Sequence, residues 1–214
     1  HKIYIELLNF CTLDLSSLYF DIRKDCLYCD DEKSLKRQNC IKVLKTSLYF
    51  LVKWLHPILV FTTEEVFQTL KSNKKNSENT DESIFLIDFK NIDLDKTIEF
   101  EEKIWKILQK VKDNINIIFE KMRDDKVIKS GLETKVFIGT TDKFKSIFDK
   151  INLSDFLVCS SVEINNQAKK KELKSLDGID GIQILVEKAK GTKCERCWKI
   201  FENGCERCQK ISLS

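Results

Sequence analysis

Four cysteines close together in the sequence, Cys194, Cys197, Cys205 and Cys208, have the spacing of a metal site. They form two Cys-x2-Cys pairs with seven residues between the pairs. Zinc favours four thiolates in a tetrahedron, and each Cys-x2-Cys turn offers two sulfurs to one ion. An Asn-Gly pair in the intervening segment supplies a turn that brings the second pair back to the first. The pattern therefore predicts one structural Zn²⁺, with no coordination position left for a reactive water.

Other uses of these thiols fit the sequence less well. A thiol oxidoreductase needs one Cys-x2-Cys at a strand-to-helix junction, and a second pair would have no role. The chain has nine cysteines, an odd number, and the other five are scattered among helical patterns, which argues against a disulfide framework and for a reducing cytoplasm. A further pair, Cys26 and Cys29, has no closed ligand pattern with Cys11 or Cys40. We interpret these as unliganded thiols that pack as small hydrophobic side chains.

The cysteine segment is basic and carries an aromatic side chain beside a ligand. Residues 188–210 contain seven Lys or Arg and three Glu, a net charge of +4, or about +2 once four thiolates and Zn²⁺ are added. Basic side chains around an aromatic ring suit an unstacked RNA base and its phosphates. The candidate RNA contacts are Lys193, Arg196, Trp198 and Lys199. The alternative for Trp198 is the hydrophobic core of this small module.

Other charged residues are weaker candidates for RNA contacts. Lys42, Lys45 and Lys53 recur along one helix, although such a stripe is also typical of a solvated face. Asp21 and Arg23 could touch RNA or form a local ion pair.

The distribution of glycine and proline indicates which elements position these residues. No glycine precedes Gly131, and Pro57 is the only proline, so the first part should form long helices and the remainder strands and turns. Apolar periodicity predicts three helices: one ending near His56-Pro57, one opened by a Thr62–Glu65 capping box and running to about Leu70, and one over 97–123. The polar stretch 71–83 reads as a loop.

Beyond Gly131 the apolar period changes. Alternation predicts strands over 134–139, 156–164 and 181–189, with a short helix over 142–151. These elements suggest a small α+β unit whose sheet packs on the 97–123 helix. The order of the strands cannot be read from the sequence.

Four segments resemble, in order, parts of the C-terminal region of bacterial isoleucyl-tRNA synthetases. They are LNFCTLDLSSLYFDIRKDCLYCD, WLHPILVFTTEEVF, GLETKV and AKGTKCERCW. The second is shared with valyl and leucyl relatives, whereas YFDIRKDCLY and KCERCW narrow the resemblance to the isoleucyl enzymes.

The resemblance implies a mainly α fold in three parts. These are a helical anticodon-binding bundle over 1–80, an α+β junction over 81–190 and a zinc knuckle over 191–214. It also implies that the knuckle helps to bind the anticodon end of isoleucine tRNA, with Arg196 and Trp198 as contacts. The segment between the Cys pairs is shorter than is usual in this family, so contacts made by the missing part are not expected here.

The signatures of catalysis in this family are absent from the sequence. The His-Ile-Gly-His-like and Lys-Met-Ser-Lys-Ser-like motifs that use ATP do not occur, and no glycine-rich phosphate loop is present. The sequence begins at His1 with no initiator Met, so we expect a fragment of a longer chain. We expect it to be monomeric and cytoplasmic, to bind tRNA but no membrane, and to leave ATP to a missing catalytic domain. The alternatives are a free-standing zinc protein that binds another RNA or a protein partner, and an independent redox enzyme.

Overall fold

The computed structural model describes residues 1–72, 83–86, 102–165, 174–176 and 179–212. The chain divides into two compact units. The first comprises His1–Tyr19 and Glu32–Thr97, and the second comprises Phe20–Asp31 and Ile98–Ser214. This division does not test the three-part domain organisation expected from the sequence, which stays a prediction.

The first unit is helical. Helix α1 covers Lys2–Asn9, and it is followed by a π-helical segment, Phe10–Phe20, in which the Ser17 hydroxyl donates to the carbonyl of Thr12 at 2.9 Å. After α2, which belongs to the second unit, come α3 (Leu35–Leu55) and α4 (Val60–Ser72). The Ser34 hydroxyl caps α3 by accepting from the backbone N–H of Arg37 at 3.2 Å. Helix α3 ends just before His56-Pro57, as predicted.

The predicted capping box at the start of α4 is wrong. The helix begins at Val60, so Thr62 lies inside it. The first turn is held instead by the Thr63 hydroxyl, which donates to the carbonyl of Leu59 at 2.8 Å and lies 3.0 Å from Nδ1 of the buried His56. The neighbouring acid, Glu64, accepts hydrogen bonds from the Ser83 hydroxyl and the backbone of a 3₁₀ turn, Ile84–Leu86. Most of the predicted loop at 71–83 lies outside the described residues.

The second unit combines helices with a mixed sheet. Its elements are α2 (Asp21–Cys29), α5 (Glu102–Asp124), β1 (Thr134–Thr140), α6 (Asp142–Phe148), α7 (Leu153–Phe156), β2 (Ser161–Asn165), β3 (Lys174–Ser175), β4 (Ile182–Lys188), β5 (Thr192–Lys193), β6 (Ile200–Phe201) and α8 (Glu206–Ser212). The larger sheet has the order β2-β1-β4-β3, and β5 pairs with β6 in a separate hairpin.

The core of this unit lies between α5 and the larger sheet. Strand β1 runs parallel to β2 and antiparallel to β4, with Val136 opposite both Val162 and Val186. Buried Leu108 and Ile115 of α5 belong to the same apolar cluster as the sheet residues. The expected fold class is therefore confirmed: a mainly helical chain with a small mixed sheet and a four-cysteine segment. In the described part of the chain, no helix is long and apolar enough to span a membrane.

The strand predicted over 156–164 is only half correct. Residues Leu153–Phe156 form α7, whose first turn is capped by the Asn152 side chain accepting from the N–H of Asp155. Val158 has φ +55°, a left-handed conformation that an extended strand cannot include. The strand therefore begins only at Ser161.

Candidate functional site

The four cysteines that the sequence singled out come together in the knuckle. Their Sγ atoms all lie within 4.8 Å of one another. Three of the side chains are buried and that of Cys194 is half-buried. Within the described residues, this is the one group of three or more Cys, His, Asp or Glu side chains whose spacing could hold a metal ion. The donor set is four soft thiolates, which suits zinc and leaves no open position if all four bind.

Local backbone geometry explains why these thiols converge. Strands β5 and β6 pair antiparallel and enclose the first Cys-x2-Cys turn. In that turn the N–H of Trp198 donates to the carbonyl of Cys194, and the N–H of Cys194 donates to the carbonyl of Lys199, both at 2.9 Å. Gly191 has φ +125°, and a Cβ there would lie 2.3 Å from the carbonyl oxygen of Phe201, so only glycine fits. Cys205 directly precedes helix α8 and Cys208 lies in it, so this helix places the second pair of cysteines beside the first.

The protonation of these thiols differs with their surroundings. Burial raises the pKa of Cys197 to about 11. Burial also pushes the pKa of Cys194 upward, but hydrogen bonds from the backbone N–H groups of Cys197 and Arg196 outweigh it and lower that pKa to about 7. A metal that binds all four sulfurs must therefore displace protons from some of them.

Helix α2 supports the knuckle. Arg207 of α8 donates Nη1 and Nη2 to the two carboxylate oxygens of Asp25, at 2.7 and 2.9 Å, and Nη1 also to Asp30 at 2.8 Å. The hydrogen bond to Asp25 raises the pKa of Arg207 above its ordinary value, so the guanidinium stays positively charged. The buried Cys29 donates to the carbonyl of Arg196 at 3.5 Å and belongs to the same buried cluster as Cys197, Cys205 and Cys208, without belonging to the ligand group.

The knuckle is also joined to the α+β part of the second unit. Lys199 Nζ lies 3.0 Å from Asp155 Oδ1 of α7, and both side chains are buried. The N–H of Ile200 donates to the Ser160 hydroxyl at 2.7 Å. These contacts show that the segment is docked on its neighbours within the second unit.

Two of the four predicted RNA contacts are exposed as expected. Trp198 is 61% exposed, so it is not the core of the module, and Phe201 packs against the cysteines instead. Arg196 is exposed, and its Nη2 donates to the carbonyl of Tyr28 at 3.5 Å. Among the described residues, no carboxylate pairs with Arg196.

Lys199 is buried, unlike Arg196 and Trp198. Its ammonium group lies against Asp155 and stabilises the fold, so its contact with RNA stays a prediction. Lys193 is half exposed but lies 3.2 Å from Glu133. In the first unit, Lys53 is buried with its ammonium 5.3 Å from the centre of the Tyr49 ring, which shortens the predicted lysine stripe to Lys42 and Lys45.

Two residues at this site were not signalled by the sequence. Tyr28 is 79% exposed near Arg196, and Arg207 anchors the knuckle. Their importance depends on contacts between residues 168 or more positions apart in the chain. A single sequence carries no signal for such pairs.

Comparison with known proteins identifies the family. Residues 1–138 match the family model described as the anticodon-binding domain of tRNA ligase. The isoleucine–tRNA ligase of Pelagibacter ubique is 40% identical over 207 residues, which are 97% of this chain and 21% of that protein. The isoleucine–tRNA ligases of Mesoplasma florum and Persephonella marina are 33% and 34% identical over 219 residues, covering 99% and 98% of this chain and 23% of each relative.

The chain thus spans about a fifth of the length of the curated relatives it matches. The resemblance to isoleucyl-tRNA synthetases indicated by the sequence motifs is confirmed, and the chain belongs to the family of tRNA-ligase anticodon-binding domains.

Proposed function

We propose that this chain is the tRNA-binding part of an isoleucine–tRNA ligase, that it binds the anticodon end of isoleucine tRNA, and that ATP-dependent aminoacylation belongs to a catalytic part outside this sequence. Membership of the anticodon-binding family supports tRNA binding, and the names of the relatives supply isoleucine. The observation that carries the proposal is the exposed pair Arg196 and Trp198 on the anchored knuckle.

The knuckle contributes to binding only when it is folded. We propose that Cys194, Cys197, Cys205 and Cys208 hold one Zn²⁺ in a closed, structural site. A segment of this size buries too little surface to fold unaided, so metal binding supplies much of its folding energy. Cysteines stay reduced in a reducing cytoplasm, which is where we place the protein.

Charge around the exposed aromatic ring suits RNA. Arg196 presents a planar guanidinium that can bind a phosphate with two hydrogen bonds. Lys188 and Lys190, both exposed, and Lys193 add positive charge at the base of the knuckle. A ring that stacks on one base, next to cations that pair with its phosphates, is the arrangement that proteins use for unstacked RNA.

Binding by the zinc-loaded chain tests this function. Isoleucine tRNA and the same tRNA with a replaced anticodon should be titrated in parallel. We expect tighter binding of the natural anticodon, and a loss of affinity for Arg196→Ala. The matched control is Arg123→Ala, which removes an arginine from an exposed ion pair with Glu120 on α5. Equal affinity for both tRNAs would contradict recognition of the anticodon end.

A further inference from the structure

Helix α2 brings a fifth thiol to the four-cysteine group. Cys29 is 5% exposed and belongs to one buried cluster with Cys197, Cys205 and Cys208. Its Sγ donates to the carbonyl oxygen of Arg196 at 3.5 Å, and the same carbonyl group is bonded to the backbone nitrogen of Cys197. The ligand group and this additional thiol therefore lie together, although they come from segments far apart in the sequence.

Two cavities show which side of the ligand group Cys29 approaches. A cavity of about 290 Å³, within the second unit, is lined by Cys29 and, among the four ligands, by Cys197. The other three ligands, Cys194, Cys205 and Cys208, line a second cavity of about 620 Å³. Cys29 therefore lies on the side of the group that Cys197 occupies.

The position of Cys29 is close to the ligand group without being part of it. The Sγ atoms that all lie within 4.8 Å of one another are those of the four knuckle cysteines. A change between staggered rotamers moves a cysteine sulfur by roughly 3 Å, which is similar to the zinc–sulfur bond length of about 2.3 Å. A thiol held this near a vacated coordination position has an effective concentration on the order of millimolar or higher. Zinc also favours a soft thiolate as a ligand.

We propose that Cys29 is a reserve metal ligand, which takes the coordination position of Cys197 when that thiolate is lost. The proposal rests on the zinc site of the proposed function and extends that site from one segment of the chain to two. On binding, the Cys29 sulfur forms a bond to the metal, and its thiol proton passes to solvent. The metal then still has four thiolates, and it ties α2 directly to the knuckle.

Zinc binding by the anaerobically prepared 214-residue chain tests this assignment. Cys197→Ser should retain one Zn²⁺ per chain. Addition of Cys29→Ser should weaken zinc binding at least about 10-fold in competition with a chelator, because loss of a ligand costs no less than loss of a hydrogen bond to one. The matched control adds Cys26→Ser instead. In the described part of the chain, Cys26 is 1% exposed on the same helix but lies outside the cysteine cluster, so this variant should bind zinc as Cys197→Ser does.

Cobalt(II) in place of zinc counts the bound sulfurs. Its sulfur-to-metal charge-transfer absorption grows with the number of bound thiolates, so Cys197→Ser should absorb as strongly as the wild type. The combination with Cys29→Ser should give about three-quarters of that intensity, because three thiolates remain. Cys29→Ser alone should match the wild type. The comparison of Cys197→Ser with the wild type needs no substitution in α2, so it decides the question even if serine at the buried position 29 disturbs the fold.

The reserve ligand and the zinc site fail in different ways. If the wild type binds no metal, the zinc site falls and the role of Cys29 falls with it. If the wild type binds one Zn²⁺ but Cys197→Ser gives only three-quarters of the cobalt absorption, the zinc site stands and the role of Cys29 is overturned. The same holds if zinc binding by Cys197→Ser is unaffected by the addition of Cys29→Ser. None of these measurements involves RNA, so the tRNA-binding function is judged separately by its own titrations.

Discussion

Arg207 of α8 binds both carboxylate oxygens of Asp25 in α2, although 182 residues separate the two in the chain. A bidentate pair of this kind fixes orientation as well as distance. Since the same guanidinium also binds Asp30, the end of α2 and the last helix of the knuckle are held together. The surface that carries Trp198 and Tyr28 depends on this link, because each aromatic residue comes from one of the two joined segments.

Removal of the Arg207 side chain should destabilise the second unit. Arg207→Ala leaves Asp25 and Asp30 without their shared partner, and both carboxylates are largely buried. We expect a loss of about 2 kcal/mol in the free energy of unfolding, below the value for a fully buried pair because the Arg207 side chain is partly exposed. Denaturant unfolding measures this, with Arg123→Ala as the control. An unfolding midpoint equal to that of the wild type would show that the link contributes nothing.

Metal removal should affect α2 as well as the knuckle. We expect one Zn²⁺ per chain in anaerobically prepared protein, lost slowly to a chelator. Once it is lost, amide hydrogens in residues 191–212 and in α2 should exchange faster, because Cys29 and Asp25 lose their partners in the knuckle. Helices α3 and α5 should keep their protection. Metal analysis giving zero or two ions, or unchanged exchange in the knuckle after chelation, would contradict this prediction.

Substitution of Lys199 should lower the stability of the protein, whereas substitution of Arg196 should lower its affinity for tRNA. Lys199→Ala removes the cation beside the buried Asp155, which should cost about 3 kcal/mol of stability, while the folded protein keeps its tRNA affinity. Arg196→Ala removes an exposed side chain and should reduce affinity with little change in stability. The double variant Lys199→Met with Asp155→Leu should recover most of the lost stability, because no charge is then left buried alone. A drop in tRNA affinity for a folded Lys199→Ala would restore Lys199 as an RNA contact.

Binding of tRNA should weaken steeply with salt. Each phosphate neutralised by a Lys or Arg contributes about 0.7 to 0.9 to the slope of log affinity against log salt. Arg196→Ala should reduce this slope by about one contact. Titrations from low to physiological salt measure it, and a flat response in the wild type would remove the electrostatic part of the account.

The features predicted correctly from sequence are local ones. The convergence of the four cysteines follows from their spacing, and β1 and β4 follow from alternation over a few residues, so each could be predicted directly. A distant contact decided the burial of Lys199, which looks like any other lysine of a basic segment until Asp155 is placed beside it. The error at the start of α4 was local instead, because His56 and Leu59 hold Thr63 in place of a cap at Thr62.

The packing of α2 on the knuckle could not be predicted from a single sequence. Nothing in residues 20–31 indicates that they belong with the C-terminal part of the chain. Helical periodicity shows which face is apolar but not what covers it. The pairing of Asp25 with Arg207 and the packing of Cys29 on the knuckle are therefore findings of the structure.

The most direct test of the central claim measures zinc content and affinity for isoleucine tRNA in Trp198→Ala. The ring is exposed and the four thiols are untouched, so zinc should remain at one per chain. The affinity should fall by about 1 to 3 kcal/mol, roughly 5- to 150-fold, because one base loses its stacking partner. If zinc is retained and affinity is unchanged in both Trp198→Ala and Arg196→Ala, the knuckle only stabilises the fold, and the RNA-binding role assigned to it is wrong.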